Sequence, residues 1–312
     1  MEVKFNVESA PHVKDSTSTM LIMLDVIIAL LPVTVWGVIS FGKNALLVMI
    51  ASVLSCVLFE SLFNFLTKKT NTVSDLSAVV TGMILALNMP PEVPIFVPIV
   101  GSAFAILIVK MLFGGLGQNF MNPALAGRCF CLISFANFMN NYQSNMSLDA
   151  YSMATPLKLI NTGHQLNAVD LFMGYIPGTI GETSKILLLL GAAYLIVKKI
   201  IDIKIPVMYL LSFVVFLIVF SGRSTDANYI LGELLSGGLI FGAFFMATDY
   251  ATSPITPFGK IIYGFLLGIL TGVFRVFGKT AENVSFVILI MNLFVPLIES
   301  WTIPIAFGKG GK

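Results

Sequence analysis

The sequence predicts an all-α polytopic membrane protein, with about ten transmembrane helices in two inverted five-helix repeats. Three observations lead there. Of 312 residues, 57% are hydrophobic and 11% charged, against roughly 45–50% and about 25% in a soluble domain. The apolar residues gather in segments near the roughly 20 residues that a spanning helix needs. A polar stretch at 139–183 separates five such segments from five more.

Residues 1–19 are polar and mixed in charge and are expected as a cytoplasmic N-terminal segment. The apolar run that follows is too long for a signal-peptide core and lacks a small-residue cleavage site, so it is read as a retained span. The first repeat is placed at 20–138, with spans at 20–41, 45–66, 75–90, 94–113 and 123–138. Its third and fifth spans are short enough to be broken or tilted. The second repeat is placed at 184–312, with spans at 184–200, 205–221, 229–248, 258–276 and 283–300 and a short cytoplasmic C-terminus.

Lys and Arg favour cytoplasmic loops. With the N-terminus inside, eleven of them fall on the cytoplasmic side and six outside, Arg128 lying within a span. Both termini are therefore expected in the cytoplasm of a multi-pass inner or plasma-membrane protein, and the 139–183 loop outside it. The repeat shows in Phe113-Gly114 followed by Asn119, spaced as Phe277-Gly278 is from Asn283, an offset of 164 residues. An odd number of spans per unit inverts the second copy. Asn122-Pro123-Ala124 suits a helix start, with Asn as the cap and Pro where no backbone donor is lost. Asn283 is placed to cap the last span in the same way.

Several functions are excluded. A net charge of +2 and the lack of any Lys/Arg block argue against nucleic acid. Cys56, Cys129 and Cys131 are too few for a disulfide framework or a cysteine-ligated cluster, and read as small core hydrophobes; no metal is expected. His12 and His164 are isolated, and no hydrolase, kinase or Walker-type motif appears. No residue is assigned to bond-making on a metabolite.

The 139–183 stretch, 45 residues long, is overlong for a plain connection. Within it Asp149-Ala-Tyr-Ser152-Met-Ala154-Thr155 offers a hydroxyl flanked by a small residue, and Pro156 biases Thr155 toward an extended backbone. Taken alone, this reads as an ordinary Ser/Thr turn before a short helix. The string resembles the D-x-x-S-x-A-T flavinylation motif. With Ser74-Asp75-Leu76-Ser77-Ala78, with Gly114-Gly115-Leu116-Gly117-Gln118-Asn119-Phe120-Met121-Asn122-Pro123-Ala124 and with Met246-Ala247-Thr248-Asp249, it makes nearly the whole chain resemble the NqrB/RnfD family. The short N-terminal extension, and Met153 where the NqrB branch usually has Gly, favour the RnfD branch.

The resemblance implies a membrane subunit of the Rnf ion-translocating ferredoxin:NAD oxidoreductase, incomplete as an enzyme by itself. It implies FMN joined through its phosphate to Thr155 by a flavin transferase, with Asp149, Ser152 and Ala154 as motif positions. It implies a second, noncovalent flavin such as riboflavin, whose pocket no residue identifies. Expected partners are iron–sulfur and flavin subunits, including another FMN-carrying subunit on the extracytoplasmic side. The coupling ion is Na⁺ or H⁺. The scaffold is expected to be urea-transporter-like, so a small-solute channel is the alternative class, and an NqrB-like subunit of a sodium-pumping quinone reductase the nearer one.

Ionisable residues within spans are costly and are functional candidates. Asp25 and Glu60 lie roughly 8 and 9 Å along their helices from the cytoplasmic ends. Arg128 enters from the same side, so the three are expected at one depth, as an ion path or a charge-compensated cluster. Asn119, Asn122 and Asp249 are candidates for cofactor contact or helix capping. Arg275 and Lys279 are expected on the outer side, as topology anchors or phosphate partners.

Overall fold

The computed structural model describes residues 17–141, 157, 160, 168–174, 177–222, 226–278 and 283–304. Among them the secondary structure is entirely helical. In chain order the helices are α1 Thr19–Phe41, α2 Lys43–Thr67, α3 Ser77–Leu87, α4 Phe96–Met111, α5 Pro123–Ser134, α6 Ala136–Met139 and α7 Ala168–Met173. They continue as α8 Lys185–Val197, α9 Lys204–Phe220, α10 Ala227–Leu235, α11 Leu239–Met246, α12 Pro257–Val276 and α13 Asn283–Thr302.

Four of these, α1, α2, α12 and α13, are long and apolar enough to cross a membrane. The pair α10–α11, bent by 58°, makes a fifth crossing if taken as one broken span. The other expected spans are the shorter apolar helices α3, α4, α5, α8 and α9. At about 1.5 Å per residue, α3 and α5 are each about 17–18 Å long, little over half of a hydrocarbon core about 30 Å thick. Local chemistry sets these ends. The Asn88 side chain turns back to the Ile84 carbonyl at 2.7 Å, and Pro90, Pro91 and Pro94 follow, so α3 cannot continue. Asn122 caps α5, accepting from the Ala124 and Leu125 amides at 3.0 and 3.3 Å, with Pro123 in the first helical position. The bend after α10 passes through Gly237 and Gly238, both at φ 64°, a left-handed conformation that glycine adopts without penalty.

The bundle has two ends. The first carries the starts of α1, α3, α9 and α12 and the ends of α2, α4, α8 and α13; Thr256 and Thr302 meet there at 2.6 Å. The second carries the α1–α2 turn and the starts of α8 and α13. The stretch 177–184 does not stay outside the bundle. Ile180 and Gly181 donate to the Met89 and Leu87 carbonyls at 3.1 and 2.7 Å, and Thr179, Ile180 and Thr183 are buried. The tail of the long polar stretch therefore fills the space beyond the end of α3.

Helices touch where side chains are small, as expected where lipid removes the hydrophobic drive for association. Gly264, Gly268 and Gly272 form one stripe on α12 that lies directly on α9. Tyr209 and Thr271 hydrogen-bond beside it at 2.7 Å. A Cβ on Gly268 would collide with Ser212 Oγ and the Tyr209 carbonyl. Gly268→Leu is accordingly expected to destabilise the purified protein by about 1–3 kcal/mol. Leu211→Ala, at a 54% exposed position on α9, should leave the urea midpoint in detergent nearly unchanged.

Candidate functional site

The first end opens into a cleft enclosing roughly 770 Å³ of empty space, its mouth included. Its apolar walls come from Ile22, Met23 and Val26 of α1, Val80 and Ile84 of α3, Leu195 near the end of α8 with Ile200 and Ile201, and Phe244 and Phe245 of α11. Its polar lining is Ser77, Thr81, Lys110, Asn119, Asn122, Thr248, Asp249 and Tyr250. The shortness of α3 and α5 makes this possible, because their N-terminal ends stop at the cleft.

Three of the residues picked from the sequence meet here. Asn122 caps α5 with its oxygen and turns its amide nitrogen to Asp249 Oδ2 at 3.4 Å. Asp249 also accepts from the Ala251 amide and the Thr252 hydroxyl, each at 3.2 Å. Asn119 donates to the Met121 carbonyl at 3.0 Å, while its side-chain oxygen is buried with no partner. A buried acceptor without a donor is costly, and this one belongs to a cavity-lining side chain. The lining is largely apolar, with its polar groups including one acceptor that has no donor.

Packing gives Asp25, Glu60 and Arg128 separate partners rather than one shared cluster. Each has its own partners on different helices. Asp25 accepts from Tyr194 at 2.5 Å and pairs with Lys198 at 3.7 Å, joining α1 to α8. Arg128 donates to Asn88 at 2.8 Å and Ser285 at 2.7 Å and lies 3.6 Å from Glu182, in the bundle interior. Glu60 is fully buried and pairs with Lys110 at 2.6 Å. Only Glu60 reaches the cavity, and it does so through Lys110.

Arg275 also departs from expectation. It is buried rather than an interfacial anchor, paired with Glu233 at 3.2 Å and donating to the Ser236 and Gly237 carbonyls at 3.0 and 3.2 Å. The Phe213 ring lies 5.1 Å from its guanidinium. Lys185, at the start of α8, is buried with its ammonium on the Glu182 carbonyl. Lys110, Glu182, Lys185 and Glu233 were not singled out from the sequence as paired residues. Their signal was available, since each sits beside or inside an apolar run where an ionisable group is expensive. Lys279, Asp149, Ser152, Ala154 and Thr155 lie outside the described residues. Cys56, Cys129 and Cys131 are buried, as core hydrophobes are.

Residues 6–308 match the NQR2, RnfD, RnfE family. The chain belongs to the NQR2, RnfD, RnfE family. It is 44% identical over 306 residues to the D subunit of the Na⁺-translocating ferredoxin:NAD⁺ oxidoreductase complex of Acetobacterium woodii, covering 96% of this chain and 94% of that one. It is 39% identical over 321 residues to the D subunit of the proton-translocating ferredoxin:NAD⁺ oxidoreductase complex of Clostridium ljungdahlii, covering 97% and 96%. A third relative, the D subunit of the ion-translocating oxidoreductase complex of Stutzerimonas stutzeri, is 35% identical over 93% of this chain and 92% of its own. In this family member, the Gly114–Ala124 and Met246–Asp249 stretches that carried the resemblance are the ones that frame the cavity.

Removing one partner of a buried ion pair strands the other, at about 3–5 kcal/mol. Arg275→Met should destabilise the protein by that order, and Arg275→Met combined with Glu233→Gln should recover a large part of the loss. Thermal unfolding in detergent compares the two.

Proposed function

We propose that this chain is the membrane electron-transfer D subunit of an Rnf-type ion-translocating ferredoxin:NAD oxidoreductase. It relays electrons through FMN on Thr155 and contributes to coupled Na⁺ or H⁺ translocation. The carrying observation is full-length similarity to the D subunits of two such complexes in a helical, membrane-type chain. Alone, the chain does not complete the reaction. Its partners are the iron–sulfur and flavin subunits of the complex and, for maturation, a flavin transferase.

The Asp149–Thr155 motif supports covalent FMN at Thr155. Ala154 is small enough to admit the transferase, and a following proline such as Pro156 disfavours a helical Thr155. A tether keeps the flavin at high effective concentration beside its redox neighbours. When bound, it supplies one-electron chemistry that the protein environment tunes.

The cavity is the place for the noncovalent flavin. Ile84, Val26, Leu195 and Phe245 offer faces for a flat ring. The Asn119 oxygen, buried without a donor, is suited to an imide N–H, and Thr248 and Asn122 stand at the same edge. Asn122 and Asp249 hold each other, so the polar edge is positioned before a ligand arrives.

The ten-span, inverted-repeat reading is kept as part of this proposal. In each half the helix read as the fourth span, α4 or α12, ends in a buried cation, Lys110 or Arg275, beside the start of a short helix and paired with a glutamate. The Phe113/Phe277 correspondence sets Lys110 one residue from Arg275. The Lys/Arg bias then puts both termini and the cavity on the cytoplasmic side and Thr155 outside.

A denaturing gel of the inserted protein should show flavin fluorescence at 33.8 kDa, abolished in Thr155→Ala; unchanged fluorescence in that variant would refute the attachment site. Ile84→Trp, which fills the cavity, should remove noncovalent flavin from acid extracts while the fluorescent band stays.

A further inference from the structure

Lys110 stands at the boundary between the cavity and a polar chain that runs to the first end. It lines the cavity, yet its ammonium is 2.6 Å from Glu60 Oε2 and 2.6 Å from Ser77 Oγ. The Ser77 hydroxyl donates onward to Asp75 Oδ1, so toward Lys110 it can only accept. Behind Lys110, Glu60 is 0% exposed, and its other oxygen accepts from the Thr72 hydroxyl at 2.6 Å. The Thr72 oxygen accepts from Asn64 Nδ2 at 3.1 Å. Asn64 is 2% exposed and its Oδ1 is buried without any donor. Thr72 is exposed at the first end. An unbroken polar chain therefore joins the surface to the cavity, with a carboxylate in the middle and a flexible ammonium at its inner end.

We propose that Lys110 is a tethered cation shared by Glu60 and the cavity: negative charge reaching a cavity-bound group draws the ammonium off Glu60, which then takes up one monovalent cation past Thr72 and Asn64. The inference rests on the reading that a redox cofactor occupies the cavity. The electron comes from a one-electron iron–sulfur carrier of the complex. Charge balances at each place. The electron in the cavity is offset by the approach of the ammonium, which keeps its three protons, and Glu60 exchanges that ammonium for one external cation. A proton would form an O–H bond on Glu60. A sodium ion would be held by the Glu60 carboxylate, the Thr72 hydroxyl and Asn64 Oδ1, the last an acceptor that otherwise has no donor.

Two physical features favour this arrangement. An ammonium on a four-carbon stem can turn between partners, whereas a guanidinium is a planar fork that fixes its partners in place. Another buried pair, Arg275 with Glu233, is of the fixed kind and is further tied to the Ser236 and Gly237 carbonyls. Buried charge is also costly unless compensated, so an arriving electron and a departing ammonium both demand a cation nearby. The titratable groups around Lys110 are Glu60 and Cys56 on α2, Asp75 ahead of α3, and Asp249 and Tyr250 on the cavity wall. Asp249 has its own donors in Ala251 and Thr252, which leaves Glu60 as the carboxylate that loses its partner when Lys110 turns.

The test is the reduction potential of the noncovalent flavin in the purified complex, read spectroscopically against pH and, separately, against Na⁺. One cation taken up per electron raises the potential by about 59 mV for each tenfold rise in that cation. Flavin takes up protons of its own on reduction, so a proton on Glu60 is read as the pH slope in excess of that of the Glu60 variants, and a slope with Na⁺ at fixed pH identifies sodium. The double variant Lys110→Met, Glu60→Gln strands no buried charge and should lose either the Na⁺ slope or that excess pH slope; Lys110→Arg should lose part of it. If the double variant loses its flavin, Glu60→Gln alone carries the same expectation. Glu60 variants that keep both slopes of the unaltered complex overturn the proposal. Noncovalent flavin fully retained in Ile84→Trp would instead overturn the placement of the flavin, and this proposal with it.

Discussion

An apolar interior accepts a charge or an open helix end only beside a partner, and this constraint organises the whole bundle. Among the described residues four cations, Lys110, Arg128, Lys185 and Arg275, lie in the interior. Each is met by a carboxylate or a carbonyl of the chain. Because a buried ion pair gains little over a well-packed apolar pair, such groups are poor devices for stability alone. They are better suited to placing charge at defined points of the interior.

The same constraint explains how the cavity exists. Half-length helices would leave unpaired backbone groups in the interior, unless side chains close them. Asn88 closes the end of α3 and Asn122 the start of α5, so both helices can stop short and leave room between them. The stretch 177–184 plugs the space on the far side of α3 through its bonds to Leu87 and Met89, which leaves the remaining space open at the first end. Of these two caps, Asn122 also lines the cavity, beside Asp249.

Much of this was legible along the chain. The cap at Asn122-Pro123 and the shortness of the third and fifth apolar segments follow from local chemistry that needs no tertiary context. Asn119, Asn122 and Asp249 were recognisable through the motifs that contain them. The buried ion pairs were not legible. A count of Lys and Arg treats a cation near a helix end as interfacial, and that reading failed for Arg275, because its turn of α12 faces Glu233 and not the membrane surface. Asp25, Glu60 and Arg128 sit at plausible depths on their own helices, but depth says nothing about which way a helix is rotated. Their separation into three clusters follows from that rotation.

By itself, the sequence determined the membrane class, the helical composition, the places where helices must start or break, and the hydroxyl motif at Asp149–Thr155. These depend on hydropathy and on interactions within a few residues. The tertiary structure alone decided that Lys110 faces both Glu60 and the cavity, that the Asn119 oxygen is buried without a donor, and that residues 177–184 enter the core. These depend on contacts between residues dozens to more than a hundred positions apart. The helix rotations and close glycine approaches that create them are set by the packing of the whole bundle.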